Sequence, residues 1–171
     1  MQIDKGLVLM SDTRTNSGVD NISVFRKMHS WTVPGERIIT IMTAGNLATT
    51  QAVIGLLEER NKAPEERLNT LLKAPTMFEV ASQVGMLLRD TIARTNAINP
   101  PAEGQTATTK FTASIIVAGQ IKGMQPRLYL VYPEGNFIEA SPETPFFQIG
   151  ETKYGRPIIL RGYDGDMSFE D

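Results

Sequence analysis

The fold of this chain is decided by three short stretches near its beginning. They are Ser-Asp-Thr-Arg-Thr-Asn at 11–16, Phe-Arg-Lys-Met at 25–28 and Met-Thr-Ala-Gly-Asn at 42–46. The apolar runs around them predict strands, so each stretch lies on a strand or at the end of one. Together they supply a carboxylate, an amine and a turn of small residues. Activation of a nucleophile and binding of an oxyanion require groups of this kind.

The order of the predicted elements indicates an α+β domain. Strands are expected at 2–3, 7–10, 24–33, 37–43, 111–117, 127–132 and 137–140. Apolar residues recur at helical spacing from Leu47 until the polar residues at 58–62, and a second helix is expected over 77–97, after Pro75. The stretch 99–105, which has two prolines, is expected to be a surface connection. Strands followed by helices and then strands are typical of a layered α+β fold.

Composition predicts one ordinary globular domain over residues 1–171. The chain has 171 residues, of which 41% are hydrophobic and 21% charged, and this is enough for one buried core. The net charge of −2 gives no basic field, and no apolar run approaches the roughly 20 residues of a membrane span. Neither nucleic acid nor a membrane is therefore an expected partner. The chain has no cysteine, which excludes disulfides and thiolate metal sites and is compatible with the cytoplasm, the location we expect.

The three stretches resemble the pattern of proteasome β-subunits, and the surrounding sequence is similar to one bacterial branch, the Anbu proteins or ancestral β-subunits. Further stretches that match this branch lie at 19–23, 119–123, 132–140 and 145–155. The resemblance therefore runs almost from end to end. It implies the fold of N-terminal-nucleophile hydrolases, a four-layer αββα sandwich in which two stacked antiparallel sheets lie between helices.

The resemblance also implies catalytic roles. In the proteasome family the nucleophile is a threonine at the mature N-terminus, whose own α-amine acts as base. Lys27 would favour the alkoxide of that threonine, Asp12 would orient Lys27 with Arg14 in support, and the N–H of Gly45 would bind the oxyanion. Each residue also has a plainer interpretation. Asp12 could pair with Arg14 in a turn, Lys27 could lie on a solvated strand face and Gly45 could simply precede a helix.

Two spacings suggest a substrate pocket. Phe25, Lys27 and His29 share one strand face, and Leu47 and Gln51 share one helix face. By resemblance, the residues that line the specificity pocket are Thr15, Phe25, His29, Thr43, Leu47 and Gln51. An extended peptide would pair with the backbone near Asn16 and Gly45. Phe25 and Leu47 could instead be core residues, and His29 could be a surface or internally bonded histidine.

No cofactor or metal is expected from the residues. His29 is the only histidine of the chain, so the sequence contains neither a histidine-based catalytic triad nor a multi-histidine metal site. A chemistry that uses only hydroxyl, amine and carboxylate groups is consistent with this composition.

Three features of the sequence differ from the family pattern: its first residue, its last four residues and Glu151. Met1 stands eleven positions before Asp12. In the family, the threonine begins the first strand a few residues further upstream, so its position would lie before Met1. Ser-Phe-Glu-Asp at 168–171 has the form of a helix start. We therefore expect a longer native protein, with a few more residues before Met1 and further helices and strands after 171, and no activity from the 171 residues alone. Glu151 follows Gly150 where proteasome β-subunits usually have a serine, and its effect is not predicted.

The resemblance thus implies a proteasome-like threonine peptidase that hydrolyses peptides or unfolded proteins and assembles from identical subunits into a ring or helical stack. Two alternatives remain open at this point. One is a noncatalytic assembly subunit, and the other is an amidohydrolase of the same fold that acts on a small amide. The residues do not specify the substrate, the number of subunits or an unfoldase partner.

Overall fold

A computed structural model of the chain describes residues 1–16, 22–62, 70–100, 111–164 and 166–168. For Thr15, Asn16, Ile22, Ser23 and Tyr154 the description is limited to the backbone. In chain order the strands are β1 (Gln2–Ile3), β2 (Gly6–Leu7), β3 (Arg14–Asn16), β4 (Ile22–Val24), β5 (Met28–Val33), β6 (Arg37–Gly45), β7 (Ala113–Ile121), β8 (Arg127–Val131) and β9 (Phe137–Glu139). The helices are α1 (Leu47–Lys62), α2 (Met77–Ile98) and α3 (Thr152–Gly162).

The centre of the fold is a five-stranded antiparallel sheet with the order β5-β6-β7-β8-β9. Its longest pairing joins β6 to β7 over nine residues each, from Arg37 opposite Ile121 to Gly45 opposite Ala113. Both strands are rich in isoleucine and valine or threonine, side chains that pack well on a pleated surface. This pairing places Gly45 at one end of the sheet, where the chain leaves β6 and enters α1.

Helices α1 and α2 cover one face of the sheet. Ile39 and Ile41 of β6 are fully buried and meet Val53 of α1 and Val84 of α2 in one apolar cluster. Helix α2 begins at the N-cap Thr76, whose side chain accepts a hydrogen bond from the N–H of Glu79. Its buried residues Val80, Val84 and Leu88 recur every four positions, so a single stripe of the helix faces the sheet.

The other face of the sheet carries a second, smaller apolar layer. Met42, Ile116 and Leu128 are buried there, and Leu7, Leu9, Met28, Phe147 and Ile149 pack against them. This layer includes the hairpin of β1 and β2, while β3 and β4 form a second hairpin. Helix α3 lies against the segment 146–148, where Gly155 approaches the side chain of Gln148 and the rings of Phe146 and Tyr163 are 5.9 Å apart.

The predicted α+β class is confirmed, with antiparallel sheets and the two predicted helices at nearly the expected bounds. The prediction of one continuous strand over 24–33 is wrong, because β4 ends at Val24 and β5 begins at Met28. Of the strand predicted at 7–10, only Leu7 belongs to β2 (Gly6–Leu7). Helix α3 was not predicted, since it contains Pro157 and leaves Ile158 and Leu160 exposed. The sequence assignments at 19–21, 101–105 and 169–171 lie outside the described residues.

No helix within the described ranges is long and apolar enough to cross a membrane.

Helix α2 and the turn between β8 and β9 approach closely through two glycines. A Cβ built on Gly85 would lie 2.2 Å from the carbonyl oxygen of Gly135. Gly135 itself has a φ of +88°, and its own Cβ would lie 2.8 Å from the carbonyl oxygen of Gly85. No ordinary side chain fits between the two backbones, so this contact requires glycine at both positions.

We expect Gly85→Ala to lower the free energy of unfolding by roughly 2 kcal/mol, because the methyl group must push the turn away from α2. The matched control is Gly55→Ala in α1, where nothing lies within 4 Å of the added Cβ. In that variant we expect the free energy of unfolding to rise by about 0.5–1 kcal/mol, since alanine is the better helix former. Urea unfolding of both variants measures the difference. Equal midpoints for the two variants would contradict the close contact.

Candidate functional site

A cleft of about 1250 Å³ opens at the end of the central sheet. Its walls come from the segment 8–14, the approach to β5, the last residues of β6, one face of α1 and the segment 146–159. Nine of the eleven predicted site residues line it, namely Asp12, Arg14, Phe25, Lys27, His29, Thr43, Gly45, Leu47 and Gln51. The other two predictions, for Thr15 and Asn16, concern side chains outside the described part; their backbones lie in β3, opposite Ser23 and Ile22.

The centre of the cleft wall is an ion pair between Lys27 and Asp12. The Lys27 Nζ donates a hydrogen bond to Asp12 Oδ1 at 2.8 Å and a second, short one to the carbonyl oxygen of Arg14. The side chain of Lys27 is 24% exposed, whereas that of Asp12 is 66% exposed. The two acceptors therefore fix the position of a half-buried ammonium group whose partner reaches into solvent. Asp12 pairs with Lys27, and the carbonyl of Arg14 supports the same amine.

The pair also affects the acidity of Asp12. The hydrogen bond from Lys27 is the largest influence and holds the pKa of the Asp12 carboxyl below its ordinary value of 3.8. Burial, the next largest, opposes this, and the positive charge of the ammonium lowers the pKa further. Asp12 is therefore ionised at neutral pH.

Backbone hydrogen bonds place Lys27 between two parts of the sheet. The N–H of Phe25 donates to the carbonyl of Thr13 at 2.9 Å, and the carbonyl of Lys27 accepts from the N–H of Thr43 at 2.9 Å. Residues 25–27 thus connect the segment around Asp12 to β6, although they belong to no strand. Phe25, Lys27 and His29 all line the cleft, but so does Arg26, so the segment does not show the predicted strict alternation of a strand.

Gly45 is held in a turn that other residues cannot adopt easily. Its φ is +108°, and a Cβ at this position would lie 2.7 Å from the carbonyl oxygen of Thr112 and 2.8 Å from the Cα of Ala113. The next residue, Asn46, accepts the N–H of Thr49 on its Oδ1 at 3.0 Å and so caps the start of α1. Gly45 therefore both precedes a helix and exposes its backbone to the cleft.

The predicted substrate-binding residues take mixed positions. Leu47 and Gln51 lie on the cleft face of α1, as their spacing predicted. Thr43 is only 7% exposed and belongs largely to the sheet interior. His29 Nε2 lies 3.2 Å from the carbonyl oxygen of Arg26, and its ring stacks on Trp31 with the centroids 6.5 Å apart. His29 is thus an internally bonded histidine that also borders the cleft.

The cleft wall also contains residues that the sequence analysis did not assign to the site, among them Gly55 and Glu58. Gly150 and Glu151, which it noted without a role, line the cleft as well. Gly150 has a φ of +83°, and its Cβ would lie 3.5 Å from the Cβ of Ala44, so Glu151 begins α3 close to the glycine turn. The side chain of Glu151 makes no capping hydrogen bond. Gly55 and Glu58 could have been found by continuing the helical spacing of Leu47 and Gln51 by two more turns.

The groups that the cleft brings together are suited to acyl chemistry. An ammonium held by a carboxylate stabilises a neighbouring alkoxide, and an exposed glycine turn leaves room for a carbonyl oxygen near the backbone. Within the described ranges there is no cluster of three or more side chains that could hold a metal ion.

Removal of the ammonium tests the pairing directly. Because the pKa of Asp12 is lowered, the pair is present above the ordinary carboxyl value and is lost as the pH falls through the lower folded-state value. We expect Lys27→Met to raise the pKa of Asp12 toward 3.8. Carboxyl ¹³C NMR over pH 2–6 measures this change, and Lys62→Met serves as the control because Lys62 pairs with Glu59 instead. An Asp12 titration that is the same in all three proteins would show that the pair is absent in solution.

Solved structures show what the chain is similar to, whereas no family model and no curated protein matches it. Anbu (ancestral beta-subunit) from Yersinia bercovieri is 44% identical over 99% of this chain and 67% of its own, with a TM-score of 0.88. Anbu from Hyphomicrobium sp. strain MC1 is 44% identical over 98% of this chain and 66% of its own, with a TM-score of 0.80. The helical assembly of the Anbu complex from Pseudomonas aeruginosa is 42% identical over 94% of this chain and 63% of its own, with a TM-score of 0.80.

This chain spans about two thirds of the length of these relatives, and the similarity covers nearly all of it. The high identity and the shared fold agree with the resemblance found in the sequence. The chain belongs to the Anbu (ancestral beta-subunit) branch of the proteasome-like N-terminal-nucleophile hydrolases.

Proposed function

We propose that this chain carries the catalytic framework of a proteasome-like threonine peptidase. The observation that supports the proposal is the Lys27 ammonium, held at 2.8 Å by Asp12 on the wall of a large cleft that also contains the Gly45 turn. A surface ion pair contributes little to stability, typically about 0–1 kcal/mol. Two acceptors hold the Lys27 ammonium beside the cleft. A chemical role for this amine therefore explains the arrangement better than a contribution to the stability of the fold does.

The nucleophile in this proposal is the hydroxyl of an N-terminal threonine that precedes Met1 in the mature protein. In the β1–β2 pairing Gln2 lies opposite Leu7 and Ile3 opposite Gly6, and the Met1 amine donates to the carbonyl of Val8 at 2.8 Å. A strand that continued backward in this register would place its fourth added residue opposite Asp12. The register thus directs a preceding segment toward the Lys27–Asp12 pair.

The reaction then follows from the charges. The α-amine of the threonine accepts the hydroxyl proton while the oxygen attacks the scissile carbonyl, and the Lys27 ammonium stabilises the alkoxide character of that oxygen. The N–H of Gly45 donates to the oxyanion of the tetrahedral intermediate. The amine leaving group takes the proton, and water then hydrolyses the acyl-enzyme. Asp12 keeps Lys27 oriented through both steps.

We further propose a peptide as the substrate rather than a small amide. The cleft of about 1250 Å³ exceeds the roughly 300–1,000 Å³ of a typical small-molecule pocket. A peptide bound in extended form would pair with backbone at β3 and at Gly45, with side chains directed toward Phe25, His29, Leu47 and Gln51. Neither a metal nor another cofactor takes part.

The relative from Pseudomonas aeruginosa forms a helical assembly. We propose that this protein likewise assembles from identical subunits, and that it acts in the cytoplasm without nucleic acid or a membrane as partner. The proposals on assembly and location rest on family membership and on the lack of a basic or membrane-spanning pattern in the sequence.

The experiment uses the native protein, whose first residue is established by N-terminal sequencing, and a library of fluorogenic peptides. We expect Lys27→Ala to lower kcat/KM by about 10³-fold or more, because it removes the charge beside the alkoxide. Asp12→Asn should cost less, since Lys27 keeps the Arg14 carbonyl as an acceptor. Lys62→Ala, a change of the same type on the exposed end of α1, should leave turnover unchanged.

Retention of turnover in Lys27→Ala would contradict the assigned role. Complete assembly without turnover of any peptide would favour the noncatalytic subunit, and turnover restricted to small amides would favour the amidohydrolase.

A further inference from the structure

Strand β1 is bordered by backbone on both sides. On one side Met1 and Val8 exchange two hydrogen bonds, from the Met1 amine at 2.8 Å and from the Val8 N–H at 3.0 Å. On the other side the N–H of Gln2 donates to the carbonyl of Pro145 at 2.8 Å. β1 therefore lies between two stretches of backbone, one that follows β2 and one that precedes α3.

Both stretches run from β1 toward the end of the cleft that holds the ion pair. The first ends at Asp12. The second reaches Gly150, whose Cβ would lie 3.5 Å from the Cβ of Ala44, the residue before Gly45. Residues of both stretches line the cleft. The space between them is thus a slot that leads from Met1 to the glycine turn.

The two sides of the slot give the same register for a segment that precedes β1. The β1–β2 pairing places the fourth added residue opposite Asp12. On the other side Gln2 lies opposite Pro145, and five positions further along each strand the same fourth residue lies opposite Gly150. The next residue upstream lies opposite Glu151. A chain terminus at the end of the slot therefore has Asp12 on one side and Glu151 on the other.

Glu151 has a fixed place in the backbone and an uncommitted side chain. Helix α3 is held to the stretch before it because Gly155 approaches the amide of Gln148 and the rings of Phe146 and Tyr163 are 5.9 Å apart. Glu151 is the N-cap residue between these two parts, where the helix dipole favours a negative charge. Its carboxylate makes no capping hydrogen bond, and it has no ion pair with a residue that the structure describes.

The other charges of the cleft leave Glu151 as the available carboxylate at this end. The charged and titratable side chains that line the cleft are Asp12, Arg14, Arg26, Lys27, His29, Glu58 and Glu151. Asp12 is already committed to Lys27, and Glu58 lies on the α1 wall. The lining does not include Lys153 or Arg156 of α3. A cation at the end of the slot thus meets one carboxylate that holds an amine and one that holds nothing.

We propose that Glu151 is the counter-charge of the N-terminal α-amine, and that it stabilises the ammonium formed when this amine takes the proton of the threonine hydroxyl. The inference rests on the proposed threonine nucleophile. In that step the O–H bond breaks, an N–H bond forms and the oxygen attacks the scissile carbonyl. Glu151 gains no proton, and the ammonium later gives its proton to the leaving amine. A serine, which is usual at this position in proteasome β-subunits, has no charge to contribute.

The carboxylate has a definite effect on the pH dependence of the amine. A neighbouring negative charge favours the ammonium and raises the pKa of the α-amine, which is about 7.7–8.0 in peptides. The ammonium of Lys27 acts in the opposite direction. Removal of the charge at Glu151 should therefore lower the pKa of the α-amine and increase its neutral fraction at neutral pH.

The test titrates the α-amine of the native protein, whose first residue is established by N-terminal sequencing. Trace acetic anhydride reacts only with the neutral amine, and mass spectrometry of the N-terminal peptide gives the acetylated fraction over pH 5–10. We expect Glu151→Gln and Glu151→Ser to lower the midpoint by about 1, because the counter-charge is lost. Glu151→Asp keeps the charge and should stay within about 0.3 of the native midpoint.

The matched control is Glu58→Gln, which removes a carboxylate from another wall of the same cleft. It should move the midpoint by less than about 0.3. Thermal unfolding monitors whether each variant is folded, and Glu151→Ser provides the comparison if Glu151→Gln does not fold.

Turnover of fluorogenic peptides is a separate measurement. In Glu151→Gln the acid limb of the kcat/KM profile should move down by the same amount as the midpoint. The plateau should fall about 3-fold, because a weaker base takes the hydroxyl proton less readily.

Equal midpoints in the native protein and Glu151→Gln, or an equal change in Glu58→Gln, would overturn the inference. The acetylation does not depend on turnover, so the two proposals can fail independently. A lowered midpoint in a protein that hydrolyses no peptide supports the pairing of Glu151 with the amine and overturns the peptidase assignment. Hydrolysis with a midpoint that does not depend on Glu151 has the opposite meaning.

Discussion

The pairing of β6 with β7 is the constraint on which the rest of the structure depends. Nine residues of each strand pair between Arg37 opposite Ile121 and Gly45 opposite Ala113, and the buried isoleucines of β6 attach both helices to one face. The same strand holds both halves of the site. Thr43 donates its N–H to the carbonyl of Lys27, and two residues later β6 ends at Gly45. Strand β6 therefore sets the separation between the backbone of Lys27, which belongs to no strand, and the glycine turn, which suits a site that must position groups accurately.

Close approach of backbones accounts for the glycines that matter most. Gly45 lies against Thr112 and Ala113 at the edge of the cleft, and Gly85 lies against Gly135 where α2 meets the far end of the sheet. In both places a methyl group would overlap main-chain atoms, which cannot move as a side chain can. Gly55 differs, because the space beside it is open. Glycines of this chain thus occupy two kinds of position, close backbone contacts in the scaffold and an open position on the cleft face of α1.

The electrostatics of the cleft are local rather than global. The chain has a net charge of only −2, so no strong overall field steers a ligand. Instead the charges lie on particular walls: the Lys27–Asp12 pair, Arg14 and Arg26 on the strand side, Glu58 on α1 and Glu151 immediately before α3. This separation places the cation for the proposed reaction on the strand side of the cleft, away from Glu58 and Glu151.

The sequence by itself determined the α+β class, the two long helices and the family, because apolar periodicity is local and the stretches around Asp12, Lys27 and Gly45 follow one another in a distinctive order. It also pointed to nine residues that the fold brings to one cleft. It did not predict the interruption at 25–27, α3 or the place of Glu58 and Glu151 in the cleft wall. Those features depend on which distant segments meet: a hydrogen bond from Thr43 to Lys27, or the approach of Gly150 to Ala44. Only the tertiary structure decided them, since contacts between residues far apart in the chain leave no periodic signal in either segment.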